Sequence, residues 1–354
     1  MPYRVIQWAT GNVGRAAVEG IDAHPELELV GAYVTTPAKA GRDVGDICGL
    51  GRLGVRAVND VDAILALDAD CVLYSPLLAQ TDEVVRLLRS GKNVVTPVGW
   101  FYPFRRPELA QSQAACAAGR ATLHGTGMHP GGYTERFPLT LSAMCLRVRH
   151  VRAEEFSDIR NYRAELVVRE IMLFGKPPEE AAVSPMLDLL GDGFGQSIDM
   201  VAAGLGLTLD AENRSTHEMA VATRDVDTPV GPILRSTVAA QRFTWQGTVG
   251  GDPVVTARVN WFMGDGHLDP DWRLGQERFE VAIDADPPIS AVFHGIHPPE
   301  LGKNLDRLPG LVGTAMHCVN AIPYVCAAPP GIRTFLDLPL VCGRAAAATA
   351  RRAP

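Results

Sequence analysis

Short apolar runs alternate with amphipathic segments over the first part of the chain. The runs lie at 3–8, 27–34, 70–74, 92–98 and 121–127, and helix-like segments lie at 12–24, 60–67, 81–90 and 108–119. Strands of a parallel sheet are buried on both faces and read as continuous apolar runs, with helices in the crossovers. The pattern therefore predicts an α/β domain.

From about residue 134 the pattern changes to alternation. The segments HEMAVATRDV, TVAAQRFTWQGTV, PVVTARVNWFMG and RFEVAIDA alternate apolar and polar positions, with turn residues between them. This is typical of antiparallel strands, and one face of the sheet should be apolar and available for dimer packing. The chain thus predicts a first domain at 1–133, completed by 309–354, and an inserted α+β domain at 134–308 with a mixed, largely antiparallel sheet.

The turn after the first run has the spacing of a dinucleotide-binding fingerprint. Ala9, Gly11 and Gly14 stand where G-x-G-x-x-G has its three glycines. A glycine at 11 lets a pyrophosphate approach the backbone, and the next amides open a helix N-terminus toward the anion. An ordinary strand-to-helix turn is the alternative, but the next run follows at βαβ spacing. We predict a Rossmann domain with cofactor contacts at Ala9, Thr10, Gly11, Asn12, Val13 and Gly14.

The loop after the second run indicates which dinucleotide binds. NAD-binding folds usually carry an Asp or Glu here, whose carboxylate accepts hydrogen bonds from the adenosine ribose. This chain has Thr35 and Thr36 instead, followed by Lys39 and Arg42. Hydroxyls and cations suit a ribose phosphate better than a bare diol, which favours NADPH over NADH. A solvated loop with ordinary surface cations is the alternative.

Residues at the carboxyl ends of parallel strands face the ligand crevice. Tyr74, Ser75 and Pro76 end one run and are expected to line the nicotinamide riboside. The glycine-rich loop GTGMHPGGY at 125–133 ends another run, and its Thr126 is assigned to the cofactor as well. Loops in this position carry function more often than loops elsewhere.

Composition narrows the functional class. The 354 residues are 47% hydrophobic and 21% charged, with a net charge of −7, which suits two globular domains and argues against nucleic-acid binding. The seven cysteines have no C-x-x-C spacing and the histidines are dispersed, so we expect neither disulfides nor a metal site. Without a signal peptide or an apolar stretch of membrane-spanning length, a cytoplasmic protein with no membrane partner is expected.

Several segments together resemble one known family. They are VIQWATGNVG, AKAGRDVGDICG, DADCVLYSP, KNVVTPV followed by YP, GTGMHPGGYTERFPL and AIPYVCAAPPG. In this order they resemble the dihydrodipicolinate reductase-like proteins, and more narrowly the branch of 2,4-diaminopentanoate dehydrogenase and the native amine dehydrogenases. The resemblance implies a Rossmann domain, an α+β domain with a mixed sheet, a homodimer and NAD(P)H-dependent reduction. It also implies phosphate contacts at 10–13 and ribose phosphate contacts at Thr35, Lys39 and Arg42.

The chain departs from this family at the expected catalytic acid. The amine dehydrogenases carry a glutamate just before the YP pair, which handles ammonia, whereas Val98, Gly99 and Trp100 stand here. The next acid, Glu108, is expected to open a helix as a solvated N-terminal charge. The HH motif and downstream lysine of true dihydrodipicolinate reductases are not found either.

The remaining catalytic candidates come from two loops. His129 is expected in the crevice, where its pKa range would suit proton donation to a group that accepts a hydride; a loop histidine held by hydrogen bonds is the alternative. Tyr102 could donate a proton or only complete an aromatic wall. The expected substrate pocket comprises Val98, Trp100, Phe101 and Tyr162, with Asn161 and Glu135 as further candidates.

The sequence therefore predicts an NADPH-dependent oxidoreductase that reduces a small, mostly apolar carbonyl or imine. One alternative is an amine dehydrogenase, in which another acid replaces the missing glutamate. A second alternative is a catalytically idle NADPH-binding protein. Fold analogy supports the cofactor and hydride transfer better than it supports any substrate.

Overall fold

The computed structural model describes residues 1–295 and 308–345. The chain divides into two compact units, Met1–Met128 with Leu311–Pro354, and His129–Gly310. The predicted boundaries, 133/134 and 308/309, lie a few residues from these. One consequence is that His129 and the glycines after it belong to the second unit. Parts of the predicted domains, at 296–307 and 346–354, lie outside the described residues.

The first unit contains a doubly wound parallel sheet. Its strands are β1 (Tyr3–Trp8), β2 (Leu27–Tyr33), β3 (Ala57–Val58), β4 (Cys71–Tyr74), β5 (Asn93–Thr96), β6 (Thr122–Gly125) and β14 (Gly331–Ile332). Its helices are α1 (Asn12–Ala23), α2 (Val44–Cys48), α3 (Val61–Ala66), α4 (Thr81–Arg89), α5 (Leu109–Gly119) and α9 (Pro309–Ala327). The strand order is β14-β6-β5-β4-β1-β2-β3, and neighbours run parallel. The predicted Rossmann fold is confirmed.

Alternate residues of the central strands bury against different helices. Ile6 of β1 and Val72 of β4 pack in one core with residues of α4 and α5. Their neighbours Val5 and Leu73 pack in another core with residues of α1 and α9. Both faces of these strands are therefore covered, which explains why the runs are apolar at nearly every position.

Helix α9 corrects one expectation from composition. By length and composition it is apolar enough to cross a membrane, whereas no such stretch was expected. Its Cys318, Ile322 and Val325 are buried in the core of the first unit. The apolar surface of α9 is thus used in covering the sheet.

The second unit contains a mixed sheet. Its strands are β7 (Arg147–Asp158), β8 (Arg214–Ala222), β9 (Val238–Val249), β10 (Asp252–Phe262), β11 (Leu268–Asp269), β12 (Arg278–Asp286) and β13 (Ile289–Phe293), and its helices are α6 (Phe137–Ser142), α7 (Pro178–Ala181) and α8 (Met186–Gly204). The order is β11-β8-β9-β10-β7-β12-β13. β7 and β10 run parallel and the other neighbouring pairs antiparallel, so the predicted mixed, largely antiparallel sheet is confirmed.

The apolar face of this sheet is covered by the chain's own helix α8. Phe194 and Ile198 of α8 pack in one cluster with Phe243, Ala257 and Val281 of the strands. Because neighbouring side chains alternate between faces, the opposite face carries Arg152, Glu154, Arg242, Arg258, Asn260 and Glu280. The expectation of an apolar face left for a partner copy is therefore wrong, and the homodimer stays a prediction without that support.

The junction of β1 and α1 depends on a very close approach. Ala9 has a φ of 71°, and its carbonyl oxygen would lie 2.2 Å from a Cβ placed on Gly14. No rotamer can relieve a contact with backbone, so residue 14 must lack a side chain for α1 to sit on the strand. Gly11 differs, because a Cβ there would meet nothing within 4 Å.

We predict that Gly14→Ala lowers the free energy of unfolding by about 2 kcal/mol or more, because the added methyl group overpacks against fixed backbone. Gly11→Ala is the matched control and should change stability little, since its φ of −73° suits any residue. Urea unfolding of both variants tests this. Equal stabilities would contradict the packing argument.

Candidate active site

The turn between β1 and α1 presents unpaired backbone donors. Gly11 precedes the helix, no side chain caps its N-terminus, and no acidic residue lies in its first turn. Gly11 and Asn12 are exposed and Val13 is half-buried. The free amides of a helix N-terminus attract anions, and the open space beside Gly11 leaves room for one. This turn fits the pyrophosphate of a dinucleotide.

Gln7 holds this turn in place, a role that no pattern in the sequence indicates. Its Nε2 donates to the Ala9 carbonyl oxygen and to Ser75 Oγ, at 2.8 Å each. Ser75 Oγ in turn donates to the Trp8 carbonyl oxygen at 3.2 Å. Ser75 therefore lies beside the fingerprint turn, but its hydroxyl is buried and bonded within the protein, and its contact with the nicotinamide riboside stays a prediction.

The loop after β2 brings one cation to the fingerprint. Lys39 Nζ donates to Thr10 Oγ1 at 3.3 Å, while Thr35, Thr36 and Arg42 are exposed. Arg15 of α1 lies in the same neighbourhood: burial raises the pKa of the Cys48 thiol, and Arg15 and Lys39 oppose that shift.

The first carboxylate after β2 is already engaged. Asp43 accepts hydrogen bonds from the amides of Gly45, Leu53 and Gly54, and these bonds hold the pKa of Asp43 below its usual range. It is therefore committed to the local turn, and the loop presents hydroxyls and cations to a ligand.

Two residues assigned to the cofactor lie in the core instead. Tyr74 is fully buried; its hydroxyl donates to Glu83 Oε2 at 2.6 Å and accepts from the Gln80 amide at 3.0 Å. Thr126 is also fully buried, and its Oγ1 bonds His317 Nδ1 of α9 at 2.8 Å. The assignment of both was wrong because strand-end position does not show which way a side chain points. Pro76, the next residue after Ser75, is half-buried.

The aromatic segment after β5 does not form an exposed wall. Trp100 has a φ of 54°, is buried in the core of the first unit, and donates Nε1–H to Ser112 Oγ at 3.1 Å. Phe101 is buried as well, and Val98 packs against the same core as Trp100. Tyr102 is half-buried, and its ring packs edge-on against that of Phe104 with 4.7 Å between the ring centroids. Its catalytic role stays a prediction.

Glu108 lies where the sequence suggested, immediately before Leu109 of α5. It pairs with Arg106, with 3.7 Å between Nε and Oε2. Both side chains are partly exposed, so this carboxylate is a solvated charge at the start of a helix. Nothing in this arrangement makes it a replacement for the missing glutamate.

The side chain of His129 is buried, contrary to its expected place in an open crevice loop. This side chain is 3% exposed. The rings of Phe194 and Phe279 pack edge-on against the imidazole, with their centroids 4.7 and 5.3 Å from its own. Burial lowers the pKa of His129 to about 3, so the imidazole is neutral at physiological pH. It therefore cannot act as the imidazolium proton donor that the sequence suggested.

The residue that sequence reasoning missed is Glu155 of β7. Its side chain is 15% exposed, with Oε2 3.6 Å from His129 Nε2. Its Oε1 accepts from Ser157 Oγ at 2.5 Å and from Trp261 Nε1 at 3.3 Å. Burial raises the pKa of Glu155 to about 7. A carboxyl group whose pKa lies near neutral pH can take up and release a proton during turnover.

Glu155 has polar neighbours that form one cluster. Burial raises the pKa of Tyr162 to about 12, and Glu155 and Glu277 add to that shift. Burial also raises the pKa of Glu277 to about 7, and this carboxylate accepts from the Asp158 amide at 2.9 Å. Of the predicted pocket residues, the structure thus brings Tyr162 to this cluster, while Asn161 ends the short helical turn before it. Among the described residues, no group of potential ligands is arranged to hold a metal ion.

Comparisons with known proteins show to which family the chain belongs. Residues 5–96 match the model of the dihydrodipicolinate reductase N-terminus, and 297–352 match the 2,4-diaminopentanoate dehydrogenase C-terminal domain. An amine dehydrogenase from Streptomyces virginiae is 32% identical over 95% of this chain and 96% of its own length. The chain belongs to the amine dehydrogenase family. It is thus an NAD(P)H-dependent oxidoreductase, and the idle cofactor-binding protein is set aside.

Two further relatives of this chain are less similar to it in sequence. The 2,4-diaminopentanoate dehydrogenase of Acetoanaerobium sticklandii is 23% identical, over 73% of this chain and 68% of that protein. The structure of an amine dehydrogenase from Mycobacterium smegmatis has a TM-score of 0.78 at 22% identity, covering 97% of this chain and 98% of that one. This second likeness shows that the fold is shared.

Glu135, which the sequence suggested as a further pocket residue, lies in the core instead. It is fully buried; its Oε2 accepts from the Gly131 amide at 2.6 Å, and its Oε1 accepts from Ser197 Oγ. Burial raises the pKa of Glu135 to about 8, and the two hydrogen bonds only partly oppose this.

We predict that Glu135 destabilises the fold as pH rises. Its folded pKa is above its unfolded value, so the stability that the neutral form provides is complete below about pH 4.5 and is lost toward pH 8. Glu135→Gln removes this titration. The free energy of unfolding of the variant relative to that of the wild type should therefore increase by about 1 kcal/mol or more from pH 5 to pH 8.5. Urea unfolding at both pH values tests this. An unchanged difference between the two proteins would contradict it.

Proposed function

We propose that the protein is an NADPH-dependent amine dehydrogenase, which converts a small, mostly apolar carbonyl compound and ammonia to an amine. The observation that carries this proposal is Glu155, whose side chain is 15% exposed and whose pKa burial raises to about 7. It supplies the kind of group that Val98, Gly99 and Trp100 cannot supply in the segment before Tyr102. The proposal thus takes up the alternative in which another acid replaces the missing glutamate.

Glu155 would serve two proton transfers in this reaction. As a carboxylate it binds ammonium and removes one proton, which leaves ammonia free to add to the carbonyl carbon. As a carboxylic acid it returns that proton to the hydroxyl of the carbinolamine, which departs as water and leaves an iminium ion. A bound nicotinamide would supply the hydride that reduces the iminium carbon to the amine. A pKa near the working pH suits a group that must be both base and acid.

The surroundings of Glu155 support an apolar substrate with one polar end. Tyr162 and Trp261 are half-buried beside it, and the core of the second unit packs against both rings. Aromatic walls around a few polar groups are typical of small-molecule sites.

The preference for NADPH is supported by the loop after β2. Lys39 lies within hydrogen-bond distance of Thr10 in the fingerprint turn, and Thr35, Thr36, Arg15 and Arg42 are exposed around it. Arginine and lysine side chains bind phosphate strongly. NADH has the pyrophosphate but lacks the additional phosphate on the adenosine ribose that these side chains would bind.

We predict that NADPH binds at least tenfold tighter than NADH, because one charge-assisted hydrogen bond contributes about 1.5 kcal/mol or more and 1.4 kcal/mol corresponds to tenfold. Lys39→Met should weaken NADPH binding by about that factor and NADH binding by much less, because both cofactors share the pyrophosphate near Thr10 and only NADPH has the ribose phosphate. Fluorescence titration measures both. Equal affinities in the wild type would refute the assignment.

A second candidate function is ammonia-independent reduction of a carbonyl. The observation that favours it is the segment 98–100, which lacks the family's glutamate. In that reaction a proton donor is still needed at the carbonyl oxygen, and Glu155 or Tyr102 could provide it. The rate dependence on ammonium separates the two functions.

We predict that NADPH oxidation with an aldehyde or ketone rises and saturates with ammonium. Glu155→Gln should lower this rate about a hundredfold, since a positioned acid–base group contributes at least that much. Glu165→Gln, an exposed carboxylate of the same unit, is the matched control and should keep the wild-type rate. The wild-type kcat/KM should fall as pH drops through about 7, because protonation removes the base. A rate independent of ammonium would favour the second candidate.

A further inference from the structure

His129 has a buried ring nitrogen with an unusual neighbour. Its Nε2 makes no hydrogen bond of normal geometry, although the side chain is only 3% exposed, and Glu155 Oε2 lies 3.6 Å away. The backbone of Arg258 also interacts with the ring and opposes the effect of burial on its pKa. A distance of 3.6 Å is too long for a hydrogen bond. Because a buried polar group without a full hydrogen bond is unfavourable, a small movement of the carboxylate toward Nε2 would be favourable.

The opposite ring nitrogen is held by a hydroxyl. Thr134 Oγ1 lies 2.8 Å from His129 Nδ1, and Thr134 is itself buried. A hydroxyl can donate its hydrogen to Nδ1, and the ring then carries its hydrogen on Nε2. The aromatic rings of Phe194 and Phe279 pack edge-on against the imidazole, so its Nε2 stays directed at Glu155.

We propose that Thr134 and His129 are a positioning pair for Glu155. The Thr134 hydroxyl donates to Nδ1 and holds His129 as the Nε2–H tautomer, and that N–H stabilises the ionised carboxylate of Glu155. The imidazole stays neutral throughout and transfers no proton. The role of the pair in turnover rests on the proposed function, whereas the tautomer and its effect on Glu155 do not.

Charges and donors from the other packed elements also face Glu155. Ser157 of β7 and Trp261 of β10 donate to it. Tyr162 and Glu277 interact with it electrostatically, and Asp158 and Arg160 interact with Glu277. The backbone of Arg258 of β10 interacts with the His129 ring. These groups are unchanged in variants of Thr134 and His129, so a change in the titration of Glu155 reports on the positioning pair.

The first experiment determines the tautomer in the full-length wild-type protein. Nitrogen-15 NMR of histidine distinguishes Nε2–H, Nδ1–H and imidazolium forms, and His129→Phe identifies the signal among the nine histidines. We expect a neutral Nε2–H ring from pH 5 to pH 9, in line with the low pKa that burial gives this residue. An Nδ1–H ring or an imidazolium in that range would overturn the proposal.

The second experiment follows the ionisation of Glu155 itself. The infrared carboxyl band that disappears in Glu155→Gln is titrated in wild type, Thr134→Val and Thr134→Ser. We expect Thr134→Val to raise the midpoint by about one pH unit, a tenfold change in the ionisation constant, and Thr134→Ser to restore it. The acidic limb of the kcat/KM profile should move by the same amount. An unmoved midpoint in Thr134→Val would overturn the proposal.

The two proposals fail separately. If turnover proves independent of ammonium while the Nε2–H tautomer and the shifted titration are observed, the proposed function is wrong and the positioning pair stands. If turnover depends on ammonium and the ring carries its hydrogen on Nδ1, the positioning pair is wrong and the proposed function stands.

Discussion

The contact between the end of β1 and the start of α1 governs the first unit. The helix can approach the Ala9 carbonyl only because residue 14 has no side chain, and the Gln7 amide holds that carbonyl and Ser75 in place. As a result the first amides of α1 point at open space beside Gly11. The same packing requirement therefore shapes both the sheet and the open N-terminus of α1.

In the second unit, burial affects three glutamates in three ways. Glu154 is nearly fully buried on the charged face and forms ion pairs with Arg152 and Arg258. Glu135 is buried with two hydrogen-bond donors and a raised pKa. Glu155 has donors at one oxygen, while the other faces the neutral His129 and the side chain reaches solvent. Desolvation that is only partly compensated leaves Glu155 poised to exchange protons.

The backbone conformation of the segment before Tyr102 restricts which side chains that segment can carry. Gly99 has a φ of 109° and Trp100 a φ of 54°, and a Cβ on Gly125 would lie 2.2 Å from the Gly99 carbonyl oxygen. A residue with a side chain would be strained at position 99. Trp100 is committed to the core. This backbone therefore does not favour a carboxylate there.

Sequence alone determined the fold class, because strand and helix periodicities and the fingerprint spacing are local properties. It also indicated the open helix N-terminus after β1 and the nearby cation of Lys39, since both follow from position along one strand or loop. It could not show that Tyr74, Thr126, Trp100 and His129 are buried, because burial depends on packing by distant segments. Nor could it distinguish Glu154 from Glu155, which are adjacent residues of the same type. Their side chains point to opposite faces of β7. Those two faces differ only once β7 pairs with β10 and β12 and α8 covers one of them.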